Sequence, residues 1–124
     1  KVLVVGSYPL GVENHNLMDM VAEELKQDLG SEFTVLRLEN GIPEDYESEG
    51  VGSAYGNHMN FLRINDTILF PYYSDDISKE PMNGFVSDLK YNNISINVIP
   101  VDIPELKDLA RLGGVLNCIS WQVF

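Results

Sequence analysis

The side chain with the clearest chemical potential is Cys118, the only cysteine among 124 residues. It lies in the stretch GGVLNCISW, where Asn117 and Ser120 place polar groups on either side of the thiol. A lone cysteine is by default a small buried hydrophobe. It becomes a nucleophile where a cation, a helix N-terminus or backbone amides favour the thiolate and a proton-transfer group lies close. The residue types alone leave both roles open.

The two histidines offer no metal-binding pattern. His15 and His58 have no second histidine or cysteine at ligand spacing, so we expect no metal site. His15 falls in the first turn of a predicted amphipathic helix, which favours a surface or capping role. His58 lies at the edge of a long loop, where a structural role competes with a functional one.

The first apolar run is not followed by a phosphate-binding loop. The stretch VVGSYPLG lacks the G-x-G-x-x-G spacing that dinucleotide-binding domains place after their first strand. A small nucleotide-binding α/β domain is therefore supported by fold-level analogy alone. We expect no cofactor.

Composition and charge restrict the class of partner. With 44% hydrophobic and 22% charged residues, the chain has the composition of a globular domain, and no apolar run approaches the length of a membrane helix. The net charge of −11 repels nucleic acid and anionic membranes. It would attract a cationic small molecule, although an acidic surface can also serve solubility alone. A single cysteine cannot form an internal disulfide, which is compatible with a reducing compartment and favours the cytoplasm.

The chain has the length of a single domain, and its two halves, about residues 1–50 and 51–124, share a faint β…α…β order. KVLVVG and EFTVLRLE predict strands. Between them, apolar residues every four positions predict an amphipathic helix from Glu13 to Leu29, which Gly30 ends. The β-α-β order indicates the α/β class.

The second unit begins after the loop NGIPEDYESEGVGSAYGN, whose length fits either a functional loop or a solvated linker. HMNFLRIN and TILFPYY flank a turn at Asn65-Asp66 and predict a β-hairpin. A helix is predicted to begin at Pro81 and to end near Asn92-Asn93. ISINVIPVDI then predicts a strand, PELKDLARL a polar turn and VLNCISWQVF a last strand.

Two blocks, in this order, resemble a known family. NFLRINDTILFP, from Asn60 to Pro71, resembles an Asn-Phe strand, an Asn-Gly-type turn and an apolar strand that closes on proline. RLGGVLNCISW, from Arg111 to Trp121, resembles the signature Gly-Gly-x-x-His/Asn-Cys-x-Ser/Thr. Together they are similar to the C-terminal part of the agmatine deiminase and bacterial-type peptidylarginine deiminase family, within the guanidine-modifying (pentein) superfamily. The opening strand and helix, the acidic turn YYSDD and the strand INVIPVDI also match, so the resemblance covers essentially the whole chain.

The resemblance implies a fold and a reaction. The fold would be α/β, with about two β/α modules of a five-module pentein α/β-propeller, mixed sheets and amphipathic helices. The reaction would hydrolyse the guanidine of agmatine, arginine or an arginyl peptide to a ureido product and ammonia, which for agmatine belongs to putrescine biosynthesis. Cys118 would be the nucleophile and Asn60 a positioning residue at the mouth of the site. Gly113, Gly114 and Asn117 would contact substrate.

The sequence departs from the family at the general acid/base. Family members carry it in an upstream Gly-His-x-Asp/Glu motif, with a guanidinium-binding carboxylate further upstream, and GNHMN lacks that spacing. Because the chain opens within a strand and without methionine, we expect the C-terminal portion of a longer deiminase. That portion would be inactive alone and would associate with its missing N-terminal modules or with a second copy. The alternative is a non-catalytic, truncated pentein-like structural or interaction domain.

Overall fold

Helices connect parallel strands in both halves of the protein. The computed structural model describes residues 1–43, 53–117 and 120. The elements in chain order are β1 (Val2–Ser7), α1 (His15–Leu29), a 3₁₀ turn (Gly30–Glu32), β2 (Thr34–Glu39), β3 (Leu62–Ile64), β4 (Thr67–Pro71), α2 (Asp75–Tyr91), β5 (Asn97–Val101) and α3 (Leu106–Arg111).

The first half is a β-α-β unit, as predicted. β1 pairs in parallel with β2 from Val2 opposite Thr34 to Ser7 opposite Glu39. Parallel neighbours need a long crossover connection, and α1 supplies it. The apolar runs therefore form strands that a helix covers.

The ends of α1 have separate causes. The helix begins at His15 rather than at the predicted Glu13, because a turn precedes it in which the His15 N–H donates to the Val12 carbonyl at 3.0 Å. Its end at Gly30 agrees with the prediction. Gly30 has φ +68°, and its N–H donates to the Lys26 carbonyl. A residue with a Cβ is strained at that φ, which explains the glycine.

The second half adds a hairpin to the same β-α-β order. β3 and β4 are antiparallel around Asn65, which adopts φ +52°, and β4 pairs in parallel with β5. The resulting three-stranded sheet has the order β3-β4-β5. The hairpin prediction is confirmed, although β3 covers only three residues of HMNFLRIN.

The predicted start of α2 is wrong. The helix begins at Asp75, where the Ser74 hydroxyl oxygen accepts the Ile77 N–H at 3.3 Å, and Pro81 lies inside it. Ser followed by two aspartates is a stronger helix start than proline, because the cap satisfies a free N–H and the carboxylates oppose the helix dipole. Pro81 has no N–H for the Ile77 carbonyl four residues earlier.

Two further predictions concern the C-terminal part. PELKDLARL is not a polar turn, since its residues Leu106–Arg111 form α3 with Leu106 and Ala110 buried. The predicted strand VLNCISWQVF lies largely outside the described residues. Val115, Leu116 and Asn117 are described, and they are not in a strand.

Two apolar clusters hold the elements together. The larger joins both sheets to α2, and the smaller fixes α3. The larger consists of Leu36, Leu38, Ile68, Phe70, Tyr72, Phe85 and Leu89. The smaller consists of Ala54, Leu106, Ala110 and Val115. Burying each large side chain contributes about 1.5–3 kcal/mol, so the larger cluster is the main connection between the two halves.

Candidate functional site

The two blocks that carry the family resemblance meet in the structure. The Asn117 N–H lies 3.0 Å from Asn60 Oδ1 and 3.4 Å from the Asn60 carbonyl oxygen, across 57 residues of sequence. The Ser120 hydroxyl donates to the Asn117 carbonyl at 3.3 Å. Cys118 itself lies outside the described residues. Asn60 is therefore placed against the residue that precedes the predicted nucleophile.

The glycine pair before the cysteine has a local structural cause. Gly113 has φ +96°, and its N–H donates to the Ala110 carbonyl at 2.9 Å, at the end of α3. A left-handed residue after a helix favours glycine, so helix termination accounts for Gly113. Gly114 is half-buried and Asn117 is exposed. Substrate contact by Gly113, Gly114 and Asn117 stays a prediction.

The segment formed by residues 53–60, which we call the Asn60 segment, packs against α3. The Ala54 N–H donates to the Ala110 carbonyl at 2.7 Å. The Tyr73 hydroxyl lies 3.1 Å from the Ala54 carbonyl and 3.0 Å from the Asn57 carbonyl. Burial raises the pKa of Tyr73, so its hydroxyl stays protonated and can act as a donor.

Aromatic contacts strengthen the same junction. The Tyr55 and Tyr73 rings meet edge to face with centroids 5.4 Å apart. Lys107 and Arg111 of α3 each place their cation 5.2 Å from the Tyr55 ring centroid. Cation–π contacts at such distances each contribute about 0.5–1 kcal/mol at exposed sites. The Asn60 segment is thus held to α3 by hydrogen bonds and by ring contacts.

His58 is a buried structural junction rather than an accessible base. Its side chain is fully buried, and its ring stacks on Phe70 with centroids 5.0 Å apart. Nδ1 lies 2.7 Å from the Glu39 carbonyl oxygen and Nε2 lies 3.0 Å from the Ser78 hydroxyl. Because a carbonyl only accepts, Nδ1 carries the proton and Nε2 accepts from Ser78. The ring joins β2 to α2.

The protonation state of His58 follows from its burial. Burial lowers its pKa from the ordinary 6.5 to about 4, against the opposing effect of the hydrogen bond to the Glu39 carbonyl. The Ser78 oxygen also accepts the Tyr73 N–H at 2.9 Å, which fits a hydroxyl that donates to Nε2. The imidazole is therefore neutral at pH 7. Of the two roles considered for His58, the structure supports the structural one.

The other histidine is fixed at the start of α1. His15 Nδ1 lies 2.7 Å from the Tyr8 carbonyl oxygen, and Nε2 lies 3.4 Å from an Asp19 carboxylate oxygen. These contacts agree with the predicted surface or capping role. Within residues 1–43, 53–117 and 120, no group of three or more His, Cys, Asp or Glu side chains could hold a metal ion. None of the helices in that part of the chain is long and apolar enough to cross a membrane.

The acidic turn YYSDD is the start of α2. Asp75 accepts the Tyr72 hydroxyl at 2.6 Å. That hydrogen bond, with burial and the nearby charges of Asp75 and Asp102, raises the pKa of Tyr72 to about 12. The turn therefore builds the helix N-terminus, and its two neighbouring tyrosines donate to different partners.

The sequence does not predict a role for Tyr73, because TILFPYY predicts a strand that ends at this residue, whereas β4 ends at Pro71. The Tyr73 hydroxyl holds the Asn60 segment, and the only sequence signal was an aromatic pair after a proline. The sequence also does not predict the close approach of two glycines: the Gly41 N–H donates to the Gly56 carbonyl at 2.8 Å. A Cβ on Gly56 would collide with the Gly41 carbonyl oxygen, and Gly56 has φ +86°. Glycine-rich composition alone did not distinguish this contact from an ordinary loop.

Comparison with known proteins places this arrangement in a fold class. The mixed α/β fold, with its two sheets and three helices over the described residues, is similar to that of two solved deiminase structures. A solved agmatine deiminase of C. jejuni with substrate bound superposes with a TM-score of 0.65 at 23% identity, over 94% of this chain and 32% of that chain. A putative arginine deiminase from Porphyromonas gingivalis superposes with a TM-score of 0.60 at 18% identity, over 95% of this chain and 33% of that chain.

The chain thus spans about a third of the length of these solved structures. At these identities the likeness establishes the fold. No family model and no curated protein matches the sequence.

Proposed function

We propose that this chain is the nucleophile-bearing C-terminal portion of a guanidine deiminase, with Cys118 as nucleophile and Asn60 as a positioning residue. The observation that carries the proposal is the hydrogen bond from the Asn117 N–H to Asn60 Oδ1. It brings together the two sequence blocks that resemble the family, and it does so within a fold similar to that of two deiminases. About two modules of a five-module propeller would correspond to this length.

The proposed reaction fits a thiol. The thiolate attacks the guanidinium carbon and forms a C–S bond, a general acid protonates the leaving nitrogen, and the C–N bond breaks to release ammonia. Water then adds to the cationic thiouronium, the C–S bond breaks, and a ureido product leaves with the thiolate restored. A thiol suits this attack better than a hydroxyl because it is partly ionised near neutral pH.

The net charge is compatible with the substrate class that the family resemblance implies. A net charge of −11 attracts a guanidinium cation, and carboxylates can hold it through paired hydrogen bonds. Agmatine, arginine and an arginyl peptide share that group. The far end of the substrate, which distinguishes them, would be contacted by residues elsewhere in the full site.

The general acid/base is expected from outside this chain. The sequence has two histidines, and both have structural contacts. His58 is fully buried and both of its ring nitrogens are hydrogen-bonded within the chain, so it is not placed to reach a substrate. The same observation favours the second candidate, a non-catalytic domain that retains the scaffold. The two candidates differ in whether Cys118 reacts selectively with guanidine-like electrophiles.

The test is alkylation of Cys118 by chloroacetamidine, a cation shaped like the reacting part of a guanidine. The measured quantity is the rate at which chloroacetamidine alkylates Cys118, divided by the rate with neutral chloroacetamide. The same ratio of rates is measured for the thiol of glutathione as a reference. Ureido product is assayed in parallel with agmatine and with arginine, using Cys118→Ala as the control.

The deiminase proposal predicts a ratio well above that of glutathione, with no ureido product from the isolated chain. A ratio equal to that of glutathione would reject the proposal in favour of the non-catalytic domain. Ureido product that disappears in Cys118→Ala would support the chemistry and would refute the statement that the general acid/base lies outside the chain.

A further inference from the structure

The Asn60 segment and the chain before Cys118 are fastened to each other at two points. At one end, the Ala54 N–H donates to the Ala110 carbonyl at 2.7 Å. At the other end, the Asn117 N–H lies 3.0 Å from Asn60 Oδ1. Ala54 and Asn60 are six residues apart, and their partners Ala110 and Asn117 are seven residues apart. The two hydrogen bonds therefore fix how the two segments align.

The Tyr73 hydroxyl contacts the same residue that makes the first of these hydrogen bonds, Ala54. This hydroxyl, which can donate one hydrogen bond at a time, lies within 3.1 Å of both the Ala54 and Asn57 carbonyls. Ala54 is buried, so its carbonyl would lose a partner without gaining free access to water if the hydroxyl were removed. The Tyr73 N–H is itself held by Ser78 of α2 at 2.9 Å. The backbone from which the Tyr73 side chain extends is therefore held in place by α2.

Asn60 connects the Asn60 segment to Asn117, the residue before Cys118. Its side-chain oxygen reaches the Asn117 N–H, and the Ser120 hydroxyl reaches the Asn117 carbonyl at 3.3 Å. Both backbone polar groups of Asn117 are therefore engaged, one peptide bond before Cys118. Asn60 and Ser120 therefore both hold the backbone of Asn117.

We propose that Tyr73 is a positioning residue for Cys118, acting through the Asn60 segment and the Asn60–Asn117 hydrogen bond. This inference rests on the proposed function for its catalytic meaning, because it assumes that Cys118 is the reacting group. Its structural content, that the Tyr73 hydroxyl sets the geometry at Asn117, does not depend on guanidine chemistry.

The chain offers a matched control in the adjacent tyrosine. Tyr72 donates its hydroxyl to Asp75 at 2.6 Å, away from the Asn60 segment. Tyr73→Phe and Tyr72→Phe each remove one hydroxyl and keep the ring. A general loss of stability would affect both variants, whereas positioning through the Asn60 segment would affect only Tyr73→Phe.

Amide hydrogen exchange at Asn117, followed by NMR on the full chain, is the first readout. We expect exchange up to about tenfold faster in Tyr73→Phe and in Asn60→Leu, which is the rate equivalent of losing one hydrogen bond. Tyr72→Phe should leave it unchanged. Asn60→Asp should restore most of the protection, because a carboxylate oxygen still accepts the Asn117 N–H.

The second readout is the pH dependence of Cys118 alkylation by neutral chloroacetamide. The midpoint of this profile should move in Tyr73→Phe and stay at the wild-type value in Tyr72→Phe. Equal effects of the two tyrosine variants on both readouts, or no effect of Tyr73→Phe on either, would overturn the inference. Selectivity for chloroacetamidine is a separate measurement, so failure of the deiminase proposal can be distinguished from failure of this one.

Discussion

The buried imidazole of His58 makes the stability of this protein depend on pH. The pKa of His58 is about 4 in the folded protein and 6.5 in an ordinary environment. Between these two pH values the imidazole is protonated in the unfolded chain and neutral in the folded one. The contribution of neutral His58 is therefore fully present above pH 6.5. It decreases as the pH falls towards 4 and changes no further below that.

The size of the effect follows from the two pKa values. At about 1.4 kcal/mol per pH unit, the interval between 6.5 and 4 corresponds to about 3 kcal/mol of unfolding free energy. About 2 kcal/mol of this is lost between pH 7.5 and pH 5. A domain of this size has about 5–15 kcal/mol in total, so the loss is large enough to measure.

Urea unfolding at several pH values between 7.5 and 5 gives the slope directly. Other groups can contribute to the slope, so the quantity of interest is the difference between the wild type and His58→Gln, which retains hydrogen-bonding groups without the imidazole. His58→Gln should be less stable than the wild type at pH 7.5 and should lose about 2 kcal/mol less on going to pH 5. Ile68→Val lowers stability in the same core by about 0.5–1.5 kcal/mol and keeps the imidazole, so it should retain the wild-type slope.

Parallel pH profiles for the wild type and His58→Gln would refute this reasoning. They would mean that His58 binds protons equally in the folded and unfolded chains. Its burial against Phe70 and its bonds to Glu39 and Ser78 would then not govern its protonation.

Three substitutions test the backbone arguments by the free energy of unfolding in urea. Gly56→Ala should lower it by about 2 kcal/mol or more, because Gly56 has a positive φ and its Cβ would meet the Gly41 carbonyl. Gly84→Ala, in the open part of α2, should raise it by about 0.5–1 kcal/mol, and a loss there would contradict the argument. Pro81→Ala should raise the free energy of unfolding by up to about 3 kcal/mol, because alanine restores a donor for the Ile77 carbonyl. An unchanged or lower value would show that Pro81 makes a compensating contact.

Local signals predicted most of the elements. The parallel β-α-β order and the hairpin follow from runs of apolar residues, from the four-residue spacing of α1 and from turn residues such as Asn65 and Gly30. The start of α2 differs from the prediction because proline favours the first helical position, whereas Ser74 provides the cap here and Pro81 lies inside the helix. α3 was missed because a helix of six residues shows too little periodicity to distinguish it from a turn.

The candidate site could be predicted only in part. The resemblance singled out Asn60 and Cys118, but sequence spacing does not show that Asn60 Oδ1 meets the Asn117 N–H, because that contact depends on how α3 packs. The role of Tyr73 could not be predicted either, since a hydroxyl that reaches backbone carbonyls leaves no pattern in the sequence. Long-range contacts of this kind need the tertiary structure.

The central claim is that Cys118 belongs to a guanidine site, and protection against alkylation tests it most directly. The chain is treated with chloroacetamidine alone, with agmatine and with putrescine, which has the same chain and cationic amine but no guanidine. Modification of Cys118 is followed by mass spectrometry. If Cys118 belongs to a guanidine site, agmatine should slow the modification and putrescine at the same concentration should not. Equal rates under all three conditions, or equal protection by both compounds, would contradict it.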